Sequence, residues 1–168
     1  LVTLLWLLLL VPGWAQGETG AATLDDVLRE LPVQSRGRMK PLDTFSRECV
    51  QAITGKARWK GEEPVLTVLG WWADPQKARS AELIEFRDRD QKSELGFDPD
   101  RRWFRLDELA ENSKLDERRE LIHQRLKAEE DLPPGDQKVQ EVLERAALLS
   151  SILDGSGLRV VPHPGGLQ

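Results

Sequence analysis

A chain of 168 residues with a formal net charge of -5, and with both signs of charge interspersed over 32% of its positions, has the composition of a solvated globular domain. It lacks the strong basic excess of a nucleic-acid-binding surface. Its one cysteine, Cys49, excludes an intrachain disulfide and a cysteine metal cluster, and the absence of CxxCH excludes a c-type cytochrome.

Residues 1–11 are apolar and uncharged, and Pro12-Gly13 breaks the run. Gly13 and Ala15 place small residues at minus three and minus one of a cut after Ala15, as in a secretory signal peptide. The run is shorter than the roughly 20 residues of a membrane span; an uncleaved N-terminal anchor is the alternative. Either reading places the rest of the chain outside the cytoplasm, as an exported, periplasmic or extracytoplasmic protein. Residues 16–22 are small and polar and read as a flexible lead-in to a helical domain over 23–157.

Thr23 to Asp26 reads T-x-x-D, a near capping box ahead of Leu24, Val27, Leu28 and Leu31. It predicts a short amphipathic helix stopped by Pro32. Residues 33–42 are predicted extended, with Gly37 at a positive-φ turn. Asp43 is the predicted cap of a helix over 44–54, and Gly55 its C-terminal cap. Phe45, Cys49, Val50 and Ile53 fall at helical spacing and should face the core, which makes Cys49 a buried structural thiol. A polar loop around Trp59 leads to Pro64, which opens a helix over 65–72, closed by Asp74-Pro75.

Residues 83–86 read as a short strand or extended stretch, followed by a helix to Leu95 with Gly96 behind it. Asp98-Pro99-Asp100 is a turn, Trp103 and Phe104 return to the core, and 106–110 is a helical turn. A charged helix over 114–130 carries Leu115, Ile122 and Leu126 on one stripe. After the hard turn at 132–135, Asp136 is the predicted cap of a second long helix, with Val139, Val142, Leu143, Ala146, Leu149 and Ile152 inward. Together they predict an antiparallel helical hairpin. Residues 158–168 are Pro/Gly-rich and read as a linker toward a membrane region. The fold class is therefore mainly α: a small extracytoplasmic helical domain with a C-terminal helical hairpin and little or no β-structure.

Motifs for catalysis are missing. There is no GxSxG, no Gly-rich phosphate loop, and the carboxylates belong to charged helix faces, so this chain is not expected to be an enzyme. His123 and His163 lack the paired spacing of a zinc site. His123 reads as an exposed helix residue; it is also a candidate haem ligand, because imidazole is a common iron ligand. Trp71-Trp72 reads as one core anchor with a surface neighbour. Arg36, Arg38 and Lys40 alternate along an extended strand and so share one side. They either pair with Asp43, Glu48 and Glu30 or face an anionic group, and Arg38 or Arg47 against a carboxylate would pin the turn to its helix.

The run LPVQ, then GR-x-KPLDTFSRE, then ITGK, is the most distinctive stretch of the chain. It resembles the extracytoplasmic N-terminal region of fused cytochrome c assembly proteins of the CcsA/ResB type. Pro32, Val33, Gln34, Gly37, Arg38, Lys40, Pro41, Leu42, Asp43, Thr44, Arg47 and Glu48 match that pattern. WWADP at 71–75, Leu95-Gly96, Leu109 with Asn112, and the final LRVVPHPGG extend the resemblance loosely over most of the chain. Arg36 stands where the family often has Gly, and Ser46 where Ala is usual; these read as a solvated turn and an exposed helix position.

The resemblance implies a membrane-associated, non-catalytic module of cytochrome c biogenesis that contacts apocytochrome c or assembly membrane subunits, and no nucleic acid. The implied interaction face is Gln34, Gly37, Arg38, Lys40, Pro41, Asp43, Thr44, Arg47 and Glu48, with Trp59 or Trp72 as anchors. Haem would belong to the family's membrane body or to a partner, with no cofactor in this chain. The rival is a stand-alone periplasmic interaction or structural protein unconnected to haem. The resemblance makes one structural demand: the bend before Pro41 must be locked onto the helix that follows it.

Overall fold

The computed structural model describes residues 24–35, 37–157 and 159–160. The predicted signal or anchor, the lead-in, Thr23, Arg36 and most of the stretch read as a linker, His163 included, lie outside the described residues.

Helix α1 (Leu24–Glu30) ends before Pro32. The extended stretch folds back on itself: β1 (Pro32–Ser35) pairs antiparallel with β2 (Arg38–Pro41), Ser35 opposite Arg38 and Pro32 opposite Pro41. Gly37 turns the chain at φ +75°, where an L side chain would be strained. Helix α2 (Leu42–Thr54) follows at once, with Pro41 at its N-cap. Asp43 is therefore not the cap. The helix begins one residue before it, and its carboxylate sits in the first turn, where it complements the positive end of the helix. Gly55 closes α2 at φ +71° and donates its N–H to the Gln51 carbonyl at 3.0 Å.

Helix α2 is the centre of the fold. Leu42, Phe45, Cys49, Val50 and Ile53 are buried, as their spacing predicts. Ser46 is also fully buried, which corrects its reading as an exposed position: the stripe is wider because α3, β3 and α8 pack around α2 from several sides. Helix α3 (Pro64–Ala73) starts on Pro64, buries Trp71 and leaves Trp72 half exposed. Asp74 then caps α4 (Pro75–Arg79), its Oδ1 accepting from the Lys77 N–H at 3.1 Å.

Strand β3 (Glu82–Glu85) pairs antiparallel with β4 (Trp103–Arg105). Helix α5 (Arg89–Glu94) lies between them in sequence, capped by Asp88. Phe86, Phe97 and Phe104 stack edge to face beneath this ribbon, the closest ring centres 5.0 Å apart. Helix α6 (Leu106–Ala110) precedes α7 (Ser113–Lys127). Asn112 caps α7 by accepting from Leu115 N–H at 2.8 Å, while its amide donates to the Leu95 carbonyl at 3.1 Å.

Helix α8 (Pro134–Leu153) folds back along α7, so that Leu115 and Asp116 lie beside Leu143 and Ala147. This is the predicted antiparallel hairpin, with two corrections. Asp136 does not cap α8, which already starts at Pro134; it is buried in the first turn and accepts from Arg118 at 2.8 Å and Arg125 at 2.5 Å. Leu126 is 47% exposed, because Arg125 is the residue of that turn that reaches α8.

The domain is mainly α, with two small antiparallel sheets among the described residues. Strand β5 (Arg159–Val160) pairs with Gln34 and Val33 as the third strand of the β2-β1-β5 sheet, so the start of the predicted linker is joined to the hairpin. Val33 is fully buried and seats that sheet on the core. Burying such a side chain contributes about 1.5–3 kcal/mol.

Candidate interaction surface on the hairpin and helix α2

The hairpin is fastened to α2 by backbone, apolar and ionic contacts. The Leu42 N–H donates to the Leu31 carbonyl at 2.8 Å, across the mouth of the hairpin. Lys40 reaches from β2 to Glu48, Nζ to Oε2 2.5 Å. Asp43 accepts from Arg47 Nε at 2.8 Å, four residues along the same helix, and lies 3.5 Å from Arg29 of α1. Arg29 also lies 3.5 Å from Glu63, which Arg58 holds at 2.7 Å. The hydrogen bond to Asp43 raises the Arg47 pKa further above its already high value.

Lys40 is thus the cation that pins the bend; Arg38 and Arg47, expected in that role, do not. Arg47 is exposed and serves its own helix. Arg38 is exposed and forms no ion pair among the described residues, and neither does Glu30. The nine candidate residues therefore divide. Gly37, Lys40, Pro41, Asp43, Arg47 and Glu48 build and brace the element. Gln34, Arg38 and Thr44 are exposed, with no side-chain hydrogen bond among the described residues. Met39, between Arg38 and Lys40, is 55% exposed. A hollow of about 390 Å³ opens beside Gln34, between the hairpin and the end of α8.

Trp59 is half-buried, edge to face with Trp103 at 5.7 Å, and Lys56 lies over both rings. It anchors its own loop. Trp72 is displayed, 51% exposed. His123 is exposed on α7. Among the described residues no group of three His, Cys, Asp or Glu side chains is arranged to hold a metal ion.

The main charged constellation at the far end of α2 is absent from the sequence reading. Glu85, 1% exposed, accepts from Arg102 (Nε 2.8 Å, Nη2 2.6 Å) and from Arg87 Nε at 2.9 Å. Arg145 of α8 donates to the Glu85 carbonyl at 2.5 Å. Burial works to raise the Glu85 carboxyl, but Arg87 and Arg102 outweigh it and hold it below the usual glutamate range. A Cβ at Gly55 would overlap the Glu85 carboxylate, so the glycine of ITGK is required twice, by its positive φ and by this approach. Trp103 Nε1 donates to the Thr54 carbonyl at 3.0 Å and completes the joint. The signal for Glu85 is its place in ELIEF, a carboxylate between Ile84 and Phe86 in a strand with arginines nearby.

The looser resemblance positions also have structural roles. Trp71 and Leu109 are core residues, Asp74 and Pro75 start α4, Gly96 (φ +80°) follows α5, and Asn112 caps α7.

The chain matches no family model. It is similar to protein NrfI of Wolinella succinogenes, 27% identical over 153 residues. The match takes in 88% of this chain and 16% of NrfI, so the chain spans about a sixth of that curated relative. Among the described residues no helix is long and apolar enough to cross a membrane.

Proposed function

We propose that this chain is the extracytoplasmic module of a cytochrome c assembly protein of the CcsA/ResB type. In this reading it is non-catalytic and presents Gln34, Arg38 and Thr44 to apocytochrome c or to a membrane subunit of the assembly machinery. Haem belongs to the membrane part or to a partner, and the module lies on the extracytoplasmic face of the membrane. The likeness to NrfI supports cytochrome c maturation at the family level. The matching motif on the hairpin supports the finer assignment.

The observation that carries the reading is the division of the motif. The bracing residues lock the bend onto α2, and Arg38 stands on the locked bend with no structural partner among the described residues. On a preorganised element the backbone loses little freedom on binding, and an arginine whose donors are uncommitted is a preferred interface anchor.

The test is cytochrome c maturation, read by covalent haem staining, in a strain deleted for the gene and complemented with wild-type or Arg38→Ala. Loss on deletion, with co-purification of assembly subunits or apocytochrome reduced by Arg38→Ala, is the expected result. Normal maturation in the deletion strain overturns it.

A further inference from the structure

We infer that the hollow between α5 and the start of β4 binds a compact polyvalent oxyanion, a phosphate or polycarboxylate group, at a place separate from the hairpin face. The hollow is about 330 Å³ and is lined by Arg87, Arg89, Lys92, Arg101 and Arg102, with Asp100 as the one carboxylate in its lining. Five cations and one carboxylate line it, while Glu85, Glu82 and Glu108 hold three of the arginines from outside the lining.

The cations are held with donors to spare. Arg87 is fixed to Glu85 through Nε, and Arg102 through Nε and one terminal nitrogen. A guanidinium has five N–H donors in a fixed fork, so both keep terminal donors for a ligand. Arg89 is tied by one terminal nitrogen to Asp100 at 2.8 Å. Arg101 is committed to Glu108 and Glu82, which neutralise it, and it serves as wall rather than as a ligand contact.

Lys92 forms part of the lining. It is 2% exposed, and its ammonium donates to the carbonyls of Pro99 (2.5 Å) and Arg101 (2.6 Å), two of its three donors. It has no ion pair among the described residues, and burial lowers its pKa. A buried cation without a contacting anion is costly, and an incoming oxyanion offsets that cost. Asp100 is the placeholder: its exposed carboxylate occupies Arg89 and can swing out to solvent.

The experiment is calorimetric titration of the purified whole chain with pyrophosphate and with citrate, each at fixed ionic strength against chloride. Saturable binding of either probe is expected, and the tighter of the two names the class. Arg89→Ala should weaken binding about tenfold, the loss of one charge-assisted contact. Asp100→Asn removes the competitor and should tighten binding. Arg38→Ala should leave it unchanged, which separates this site from the hairpin face. Absence of saturable binding by both probes, an Arg89→Ala isotherm equal to wild type, or weaker binding by Asp100→Asn would overturn the inference.

Discussion

Helix α2 is held differently at its two ends. At its N-terminus the hairpin is braced by ion pairs that reach solvent: Glu48 is 57% exposed in its side chain and Arg47 54%. At its C-terminus the acid is buried while its arginines reach solvent. Glu85 is buried against Gly55; Arg87, Arg102 just before β4, and Arg145 of α8 converge on it, and Trp103 closes over Thr54. Exposed pairs in high dielectric contribute little and weaken with salt, whereas a buried carboxylate stripped of its partners is costly. The dense sequence motif therefore marks the end that displays side chains, and the end that carries more of the ionic stability is built from residues scattered along the chain.

Glu85→Gln should show the largest effect. Loss of a partner from a fully buried pair costs about 3–5 kcal/mol; since Arg87 and Arg102 reach solvent, about 2–3 kcal/mol is expected, read by urea unfolding near neutral pH. The pH dependence sharpens the point. The folded Glu85 pKa lies below its unfolded value, so its contribution is full above the ordinary glutamate pKa of about 4.3 and is lost as pH falls through the folded value. Wild type should lose its advantage over Glu85→Gln in acid. A gap that stays constant down the acid limb would mean that the charge is not what holds this end.

Ser46→Ala is smaller and opposite in sign. The Ser46 hydroxyl is buried and has no hydrogen bond among the described residues. A buried unsatisfied hydroxyl costs about 1–3 kcal/mol, so its removal should stabilise the chain by about 1 kcal/mol, raising the urea midpoint at unchanged slope. Destabilisation by Ser46→Ala would reveal a partner for the hydroxyl.

These two residues also show what the sequence could and could not convey. Helical spacing placed Phe45, Cys49, Val50 and Ile53 on the core face, and Gly37, Gly55 and Gly96 announced their turns, because both signals are local. Asp43 and Asp136 look like caps because each closely follows a proline at a helix start; the partners brought up by the fold, Arg29 beside one and Arg118 and Arg125 beside the other, show their roles. Ser46 lies off the apolar stripe, and its burial is not legible locally because elements distant in sequence cover that face of α2. Glu85 was missed because its arginines lie 2, 17 and 60 residues away, which no periodicity reports. At the candidate site, the motif was legible as a motif, but the partition between bracing Lys40 and displayed Arg38 needed coordinates.

The Lys40–Glu48 brace should be a weak one. A double-mutant cycle with Lys40→Ala and Glu48→Ala should give a coupling of about 0.2–1 kcal/mol that shrinks in high salt. A coupling well above that would place the hairpin's stability at its surface and erase the contrast between the two ends of α2.

Arg38→Ala should change stability least of all, within about 0.5 kcal/mol, because its side chain is exposed and forms no ion pair among the described residues. The same substitution should cut partner capture the most. Lys40→Ala, which loosens the bend, should reduce capture less and mainly through a slower association. Surface residues retained for folding show loss of function and loss of stability together; a residue retained for recognition shows the first without the second. Arg38→Ala that unfolds the hairpin as it abolishes capture would move Arg38 to the bracing set and leave Gln34 and Thr44 as the displayed residues of the motif.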